Sequence, residues 1–379
     1  MNILILSTDY KPHFGGIAEH TYQVARSLYK SGTNVIVLAP FIKGCSSFDN
    51  KQGFKTYRVP NIPILRGVLF FLSALFLCCR FQIDYIYVSI TFLCGEIAYI
   101  LSYISKLKYI VAIHGYEVMC AKDTFRAKIR ILLKPLQLHV YNKAYRIFAV
   151  SNFTKSKLEE FGVSSQKIRV VNNGVDLDKF NTRKKHLGYI KRYNLNGNKI
   201  ILTVARLTED KGHDMVIKSL PEVLKRVPKV TYLIAGIGPR RTFLESLVKE
   251  MGIQQNVIFL GYVPENELPM LYNTCNVFIL TSRPLGRCVE GFGIVFLEAG
   301  ACKKPVIGEN SGGIPDAVIN GKTGILVNSN NSGEIVKALI SLLSDHNLAK
   351  KLGDNGYKRI VKELTWNKIG LNMMKEIEI

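Results

Sequence analysis

The chain has 379 residues, 47% hydrophobic and 21% charged, with 51 Lys+Arg against 29 Asp+Glu and a formal net charge of +22. That composition excludes a mainly disordered chain, and the length exceeds what one hydrophobic core usually serves, so two domains are expected. The positive excess admits three partners: nucleic acid, an anionic membrane surface or anionic small molecules. It is uneven, since residues 1–185 carry 26 Lys+Arg and 11 Asp+Glu and the remainder 25 and 18.

The opening MNILILSTDY has four consecutive apolar residues and no basic segment before them, which reads as a buried strand and not as a secretory signal. Similar short apolar runs follow at 35–39, 85–88, 109–113, 147–150 and 168–171. A second series lies at 200–204, 231–235, 257–260, 277–280, 305–308 and 324–327, and helical-length segments separate the runs throughout. Continuous apolar runs of this kind predict parallel strands buried on both faces, and two series predict two doubly wound, Rossmann-like α/β domains. The stretch 180–199 is polar and basic and holds an Asn-Gly turn, so the linker is placed near residue 190. The expected domains are therefore 1–189 and 190–363. Residues 364–379 form a last helix, with Trp366, Ile369, Met373 and Ile377 at helical spacing.

Two segments raise the question of a membrane. Residues 67–79 (GVLFFLSALFLCC) are uncharged between Arg66 and Arg80. They fall short of the roughly 20 residues a spanning helix needs, so a buried or surface-docking helix is expected. Residues 122–146 carry seven Lys/Arg and one Asp, with Phe125, Ile129, Leu132, Leu133 and Leu136 at helical spacing. A basic amphipathic helix suits an anionic membrane interface, and the same pattern suits a core-packed helix with a solvated basic face. The eight cysteines include no CxxC pair or Cys/His cluster, which points away from zinc and disulfides and toward a reducing cytosol.

Several motifs resemble phosphate loops without completing them. NGKTG (320–324) lacks the upstream glycine of a P-loop, and GIGPRR (236–241) ends in arginine where a dinucleotide fingerprint needs glycine. Asp176 and Asp178 have the spacing of a metal clamp, but after a NNG turn they are expected to cap a short helix. Three constellations carry more. Gly15-Gly16 follows the first strand, where amides at a helix start favour an anion, or where glycines simply join strand to helix. Arg206 and Lys211 follow the strand 200–204; they form either a fork and a point charge for a diphosphate or two solvated surface charges. Glu290 and Glu298 are eight apart in EGFGIVFLE, one carboxylate in the loop and one inside the helix. Such carboxylates could accept hydrogen bonds from sugar hydroxyls while the helix start faces phosphate; a glycoside-hydrolysing acid pair is the competing chemistry.

At these residues the chain resembles glycosyltransferase family 4, the retaining GT-B enzymes. The likeness is carried by EGFGIVFLEAGACKKPVIGENSGGIPDAVINGKTGILV (290–327), VARLTEDKG (204–212), NNGVDLDKF (172–180), IAGIGP (234–239) and the stretch 257–282, with GGIAEH and IHGYE in the N-terminal half. Within the family it looks most like the phosphatidylinositol-mannoside mannosyltransferase-like members. The resemblance implies the GT-B fold, two Rossmann-like domains facing a cleft, with an N-terminal acceptor domain, a C-terminal nucleotide-sugar domain and the last helix packed back on the first. It implies a hexosyltransferase, mannose weakly preferred over glucose or N-acetylglucosamine, using a GDP- or UDP-sugar and a lipid-linked or polysaccharide acceptor. The same-fold alternative is a nucleotide-sugar 2-epimerase. By the same likeness Arg206 and Lys211 bind the donor diphosphate and Glu290 sits near the donor sugar. Backbone amides at Phe292, Gly293 and Ile294 contact sugar or diphosphate, and Glu298 holds the ribose. Gly15 and Gly16 close on the diphosphate, and His114 lies near the anomeric carbon, with His20 and Glu117 as weaker carry-overs. No metal or organic cofactor and no nucleic-acid partner is expected, and the location is cytoplasmic, peripheral on the inner membrane face. One departure is Lys303-Lys304, where the family usually has a glycine-containing turn.

Overall fold

The computed structural model describes residues 1–13, 15–118, 132–182, 187–286 and 288–378. The chain divides into two units, Met1–Asn173 with Trp366–Ile379, and Gly174–Thr365. The first boundary thus lies at Asn173/Gly174 and not near residue 190. The polar stretch after it is not an open linker. Its short helix Leu187–Arg192 buries Tyr189, whose hydroxyl donates to Glu267 Oε2 at 2.6 Å, and Leu195 beyond it is buried in the same unit.

In the first unit seven strands form one parallel sheet. They are β1 (Asn2–Leu6), β2 (Asn34–Pro40), β3 (Lys55–Val59), β4 (Tyr85–Val88), β5 (Lys108–Ile113), β6 (Arg146–Ala149) and β7 (Ile168–Val170), in the order β3-β2-β1-β4-β5-β6-β7. Helices cover both faces, so Ile3, Leu4, Ile5 and Leu6 are all inaccessible to solvent. That double burial is why these strands read as unbroken apolar runs. The exception is β3, KTYRV, which pairs only with β2 and sits at the sheet edge, where polar residues are tolerated.

In the second unit six strands repeat the pattern: β8 (Lys199–Val204), β9 (Val230–Ala235), β10 (Val257–Gly261), β11 (Val277–Leu280), β12 (Val306–Glu309) and β13 (Ile325–Val327), in the order β10-β9-β8-β11-β12-β13. In both sheets the order reverses beside the first strand, between β1 and β4 and between β8 and β11. Loops at the carboxyl ends of those strands are where open α/β sheets take ligands.

The last helix, Trp366–Glu378, buries Trp366, Ile369, Met373 and Ile377 and lies along the helix Gly16–Lys30 of the first unit. The approach is close enough that a Cβ on Gly370 would stand 2.7 Å from Ser27 Oγ and 2.8 Å from Ser27 Cβ. In the second unit Lys303 ends the helix Ile294–Ala301 with φ +57°, so a lysine here adopts the left-handed conformation that a glycine would take without strain. The basic stretch 122–146 lies outside the described residues up to residue 131; its remainder includes the helix Lys134–Lys143. Asp176 Oδ1 accepts the Asp178 amide at 3.0 Å within a turn, and among the described residues neither aspartate stands at a helix start.

Gly370→Leu should overpack the contact with Ser27 and cost about 1–3 kcal/mol in urea unfolding. Leu371→Ala, at a position 52% exposed, should stay within about 0.5 kcal/mol of wild type.

Candidate active site

The loop after β8 carries Arg206 and Lys211, and its path is set by two glycines that the sequence presents as a failed fingerprint. The Leu207 amide donates to the Ile237 carbonyl and the Arg240 amide to the Leu207 carbonyl, both at 3.0 Å. A Cβ on Gly236 would collide with the Ala205 carbonyl and one on Gly238 with the Leu207 carbonyl. GIGP is therefore a platform on which the Arg206 loop lies backbone to backbone. Arg206 itself is exposed, and its carbonyl accepts from His213 Nε2 at 3.1 Å. His213 is buried, and burial lowers its pKa, so it stays neutral and acts as a fixed donor.

Lys211 lies at the end of the same loop, with its Nζ 2.7 Å from Glu290 Oε2 and 3.3 Å from Asp210 Oδ2. Its side chain is only 15% exposed and that of Glu290 21%. Burial disfavours the ammonium, but Glu290 and Asp210 outweigh that and hold the Lys211 pKa above its ordinary value. Gly212, with φ +68°, then turns the chain into the helix His213–Arg226. A Cβ there would collide with the Thr281 carbonyl, and the Thr281 hydroxyl donates to the Gly212 carbonyl at 3.0 Å. Arg283 ties the β11 loop to this turn through Asp214 Oδ2 at 3.0 Å and through its amide to the Asp210 carbonyl at 2.9 Å.

Glu290 is fixed from the other side by the loop after β12. The Gly313 amide donates to its carbonyl at 2.9 Å, and a Cβ on Gly312 would come within 2.6 Å of that carbonyl. Gly293, at φ +87°, starts the helix Ile294–Ala301, whose first amides have no partner inside the helix. The Phe292 ring is buried, which leaves only its backbone to meet a ligand. Glu298 Oε2 accepts from the Tyr272 hydroxyl at 2.6 Å; burial, then the Glu298 charge, raises the Tyr272 pKa and keeps it a donor.

At its switch point the first unit holds two uncharged histidines near the ion pair Lys11 Nζ–Glu19 Oε2 at 2.8 Å. Gly15 precedes the helix Gly16–Lys30, and a Cβ on Gly16 would meet nothing within 4 Å. Neither packing nor strain demands glycine there. His114 follows β5, its Nε2 3.1 Å from the Ser89 carbonyl and its amide donating to Glu117 Oε2 at 3.0 Å. The His20 ring meets it edge to face at 4.5 Å. His20 Nδ1 is 2.7 Å from Asn173 Oδ1 and its Nε2 3.1 Å from the Tyr87 hydroxyl, so Nδ1 donates and Nε2 accepts. Burial lowers the His20 pKa to about 4 and, with His20 as neighbour, pushes that of His114 well below the usual range.

The structure thus brings Lys211 and Glu290 into contact and places Arg206 on the same loop as Lys211; Glu298 and the 292–294 backbone follow Glu290 into the helix. Gly15, Gly16, His20 and His114 cluster in the other unit. The sequence reading missed His213, Asp214, Arg283, Gly236, Gly238 and Gly312. For the glycines the signal was present, in GIGP and in the Gly312-Gly313 pair. Among the described residues no group of three or more His, Cys, Asp or Glu is placed to hold a metal ion.

Two doubly wound units with an acid-bearing helix start opposite a basic loop define a GT-B glycosyltransferase. The comparisons agree. Residues 14–179 match Glycosyltransferase Family 4 and residues 189–359 match Glycosyl transferases group 1. The GDP-mannose-dependent alpha-(1-6)-phosphatidylinositol monomannoside mannosyltransferase of Mycolicibacterium smegmatis is 27% identical over 378 residues, 98% of this chain and 97% of that one. The alpha-monoglucosyldiacylglycerol synthase of Streptococcus pneumoniae is 24% identical over 93% of this chain and 82% of its own. The crystal structure of Anabaena HepE with UDP and glucose matches with a TM-score of 0.82 at 20% identity, covering 100% of this chain and 99% of that one. The chain belongs to the family 4 glycosyltransferases. The curated relatives are named for sugar transfer, and the epimerase reading is not favoured.

The buried His20 yields a pH prediction. Between about pH 6.5 and about 4 the unfolded chain binds a proton at this position that the folded chain does not. Stability therefore falls as pH drops through that window, by roughly 3 kcal/mol from His20, with His114 acting in the same direction. Urea unfolding at several pH values should show this slope, and His20→Asn should flatten it.

Proposed function

We propose that this chain is a retaining hexosyltransferase that binds a nucleotide-diphosphate sugar at the Arg206–Lys211–Glu290 constellation and transfers the sugar to a lipid-linked or polysaccharide acceptor. The observation that carries it is the Lys211–Glu290 pair at 2.7 Å, at the carboxyl ends of β8 and β11. A diphosphate has more charge than a single carboxylate, so it displaces Glu290 from the Lys211 ammonium. The freed carboxylate then accepts hydrogen bonds from the donor sugar's hydroxyls. Arg206 adds a planar fork to the same phosphates, and the two cations neutralise the charge that grows on the leaving diphosphate. The helix start at Gly293–Ile294 offers amides to the same anion, and Glu298 takes the ribose hydroxyls.

In the N-terminal unit, Gly15 and Gly16 leave backbone open to an anion at a helix start, the role the family likeness gives them. His114, held neutral with Nε2 on the Ser89 carbonyl, keeps Nδ1 free to act as an acceptor. GDP-mannose is the preferred donor, because the mycobacterial relative is named for it over nearly its full length. UDP-glucose is the second reading, favoured by the fold likeness to HepE, which was crystallised with UDP and glucose. A lipid-linked acceptor fits the two curated relatives named for phosphatidylinositol and diacylglycerol substrates, and puts the enzyme at the cytoplasmic face of a membrane.

A thermal-shift panel of GDP, UDP and ADP, followed by the matching sugars, tests the donor. At a hundredfold excess over Kd the preferred nucleotide should stabilise by about 2.7 kcal/mol, seen as a raised Tm, and GDP should lead. Equal failure of all three would overturn the donor reading. Arg206→Ala and Lys211→Ala should each lower transfer by roughly 10²- to 10³-fold while the acceptor KM is kept, the scale expected when one transition-state charge contact is lost.

A further inference from the structure

Tyr272 is wholly buried yet ends in a polar atom, and the packing around its ring does not account for that atom. It lies in the helix Leu268–Thr274 and is inaccessible to solvent. Its ring meets Phe180 edge to face with centroids 5.8 Å apart, and tilts against Phe278 of β11 at 5.6 Å. A phenylalanine would fill the same space, and a buried hydroxyl costs stability unless it is paired. The pairing is with a carboxylate: the hydroxyl donates to Glu298 Oε2 at 2.6 Å, the length of a charge-assisted bond. Burial, then the Glu298 charge, keeps the phenol protonated, so it serves here as the donor.

Glu298 is the fifth residue of the helix Ile294–Ala301. Phe296, Leu297, Ala299, Gly300 and Ala301 around it are buried, so packing fixes the backbone that carries it. The carboxylate is different. It is only partly buried, at the end of three rotatable bonds, and its direction depends on hydrogen bonding. An ionised carboxylate offers about four lone-pair sites, of which the Tyr272 bond uses one and restrains the rest. The ring that supplies this bond is itself held by two separate segments, through Phe180 and Phe278.

We propose that Tyr272 is a positioning residue for nucleotide recognition: its hydroxyl holds the Glu298 carboxylate in one rotamer, pre-set to accept the 2′- and 3′-hydroxyls of the donor's ribose. The proposal rests on the ribose role given to Glu298 above and adds what keeps that carboxylate in place. A glutamate that must first abandon other rotamers gives up part of what each new hydrogen bond gains. The consequence is selectivity for ribose, since a dideoxyribose leaves the fixed acceptor without its donors.

Calorimetric titration of GDP and UDP, each against its 2′,3′-dideoxy analogue, tests this on wild type and three variants. Wild type should prefer the ribonucleotide by at least about tenfold, and Glu298→Ala should abolish the preference. Tyr272→Phe keeps the ring and should cut the preference to about threefold or less. Phe180→Leu loosens the ring packing but keeps the hydroxyl, so it should lower Tm and retain the preference. Failure of both nucleotides to bind, or wild-type indifference to the ribose hydroxyls, would remove the ribose role of Glu298 and this inference with it. A preference that Glu298→Ala loses and Tyr272→Phe keeps would overturn the inference alone. An equal loss in Phe180→Leu would assign the effect to packing and overturn it too. A crystal structure of wild type with either nucleotide needs no variant: the 2.6 Å contact should persist while Glu298 meets the ribose, and its opening on binding would contradict the proposal.

Discussion

The site in the C-terminal unit depends on one arrangement, a lysine ammonium withdrawn from water and held by a carboxylate from another loop. Lys211 and Glu290 are distant in sequence and both largely buried, and Asp210 beside Lys211 adds a second carboxylate to the ammonium. Everything around them fixes backbone. Gly236 and Gly238 bring the Arg206 loop down onto its neighbour, Gly212 lets Thr281 close against the turn after Lys211, and Gly312 clamps the Glu290 carbonyl. Each glycine sits where a side chain would push a charged residue away from its partner. These four glycines therefore serve the placement of charge.

The two units share a topology and differ in the chemistry at their switch points. The C-terminal unit offers cations, an acid and a helix start. The N-terminal unit offers an open glycine pair beside the Lys11–Glu19 ion pair, and two neutral histidines packed edge to face. Burial keeps both rings uncharged, and His20 is fixed by Asn173 and Tyr87 in a single tautomer.

Much of this was legible in the chain. Every predicted apolar run became a strand, because parallel strands buried on both faces leave no room for polar residues. Lys55–Val59 escaped notice because an edge strand is free to alternate. The boundary near residue 190 was misplaced for a related reason: polar residues there hide the burial of Tyr189 and Leu195. Arg206, Lys211 and Glu290 were readable as charged residues beside glycines at strand ends. The support of Arg206 by His213, and of the turn by Arg283 and Asp214, was not, since those contacts join loops that only the fold brings together. The apolar run at 67–79 was plain in the sequence, but which of its side chains face outward depends on where the helix meets the sheet.

The most direct test of the central claim is a crystal structure of the protein with a nucleoside diphosphate bound. The phosphate oxygens should lie within hydrogen-bond reach of Lys211 Nζ and the Arg206 guanidinium, with the Lys211–Glu290 contact opened. A diphosphate bound elsewhere, with that contact still closed at 2.7 Å, would contradict the account.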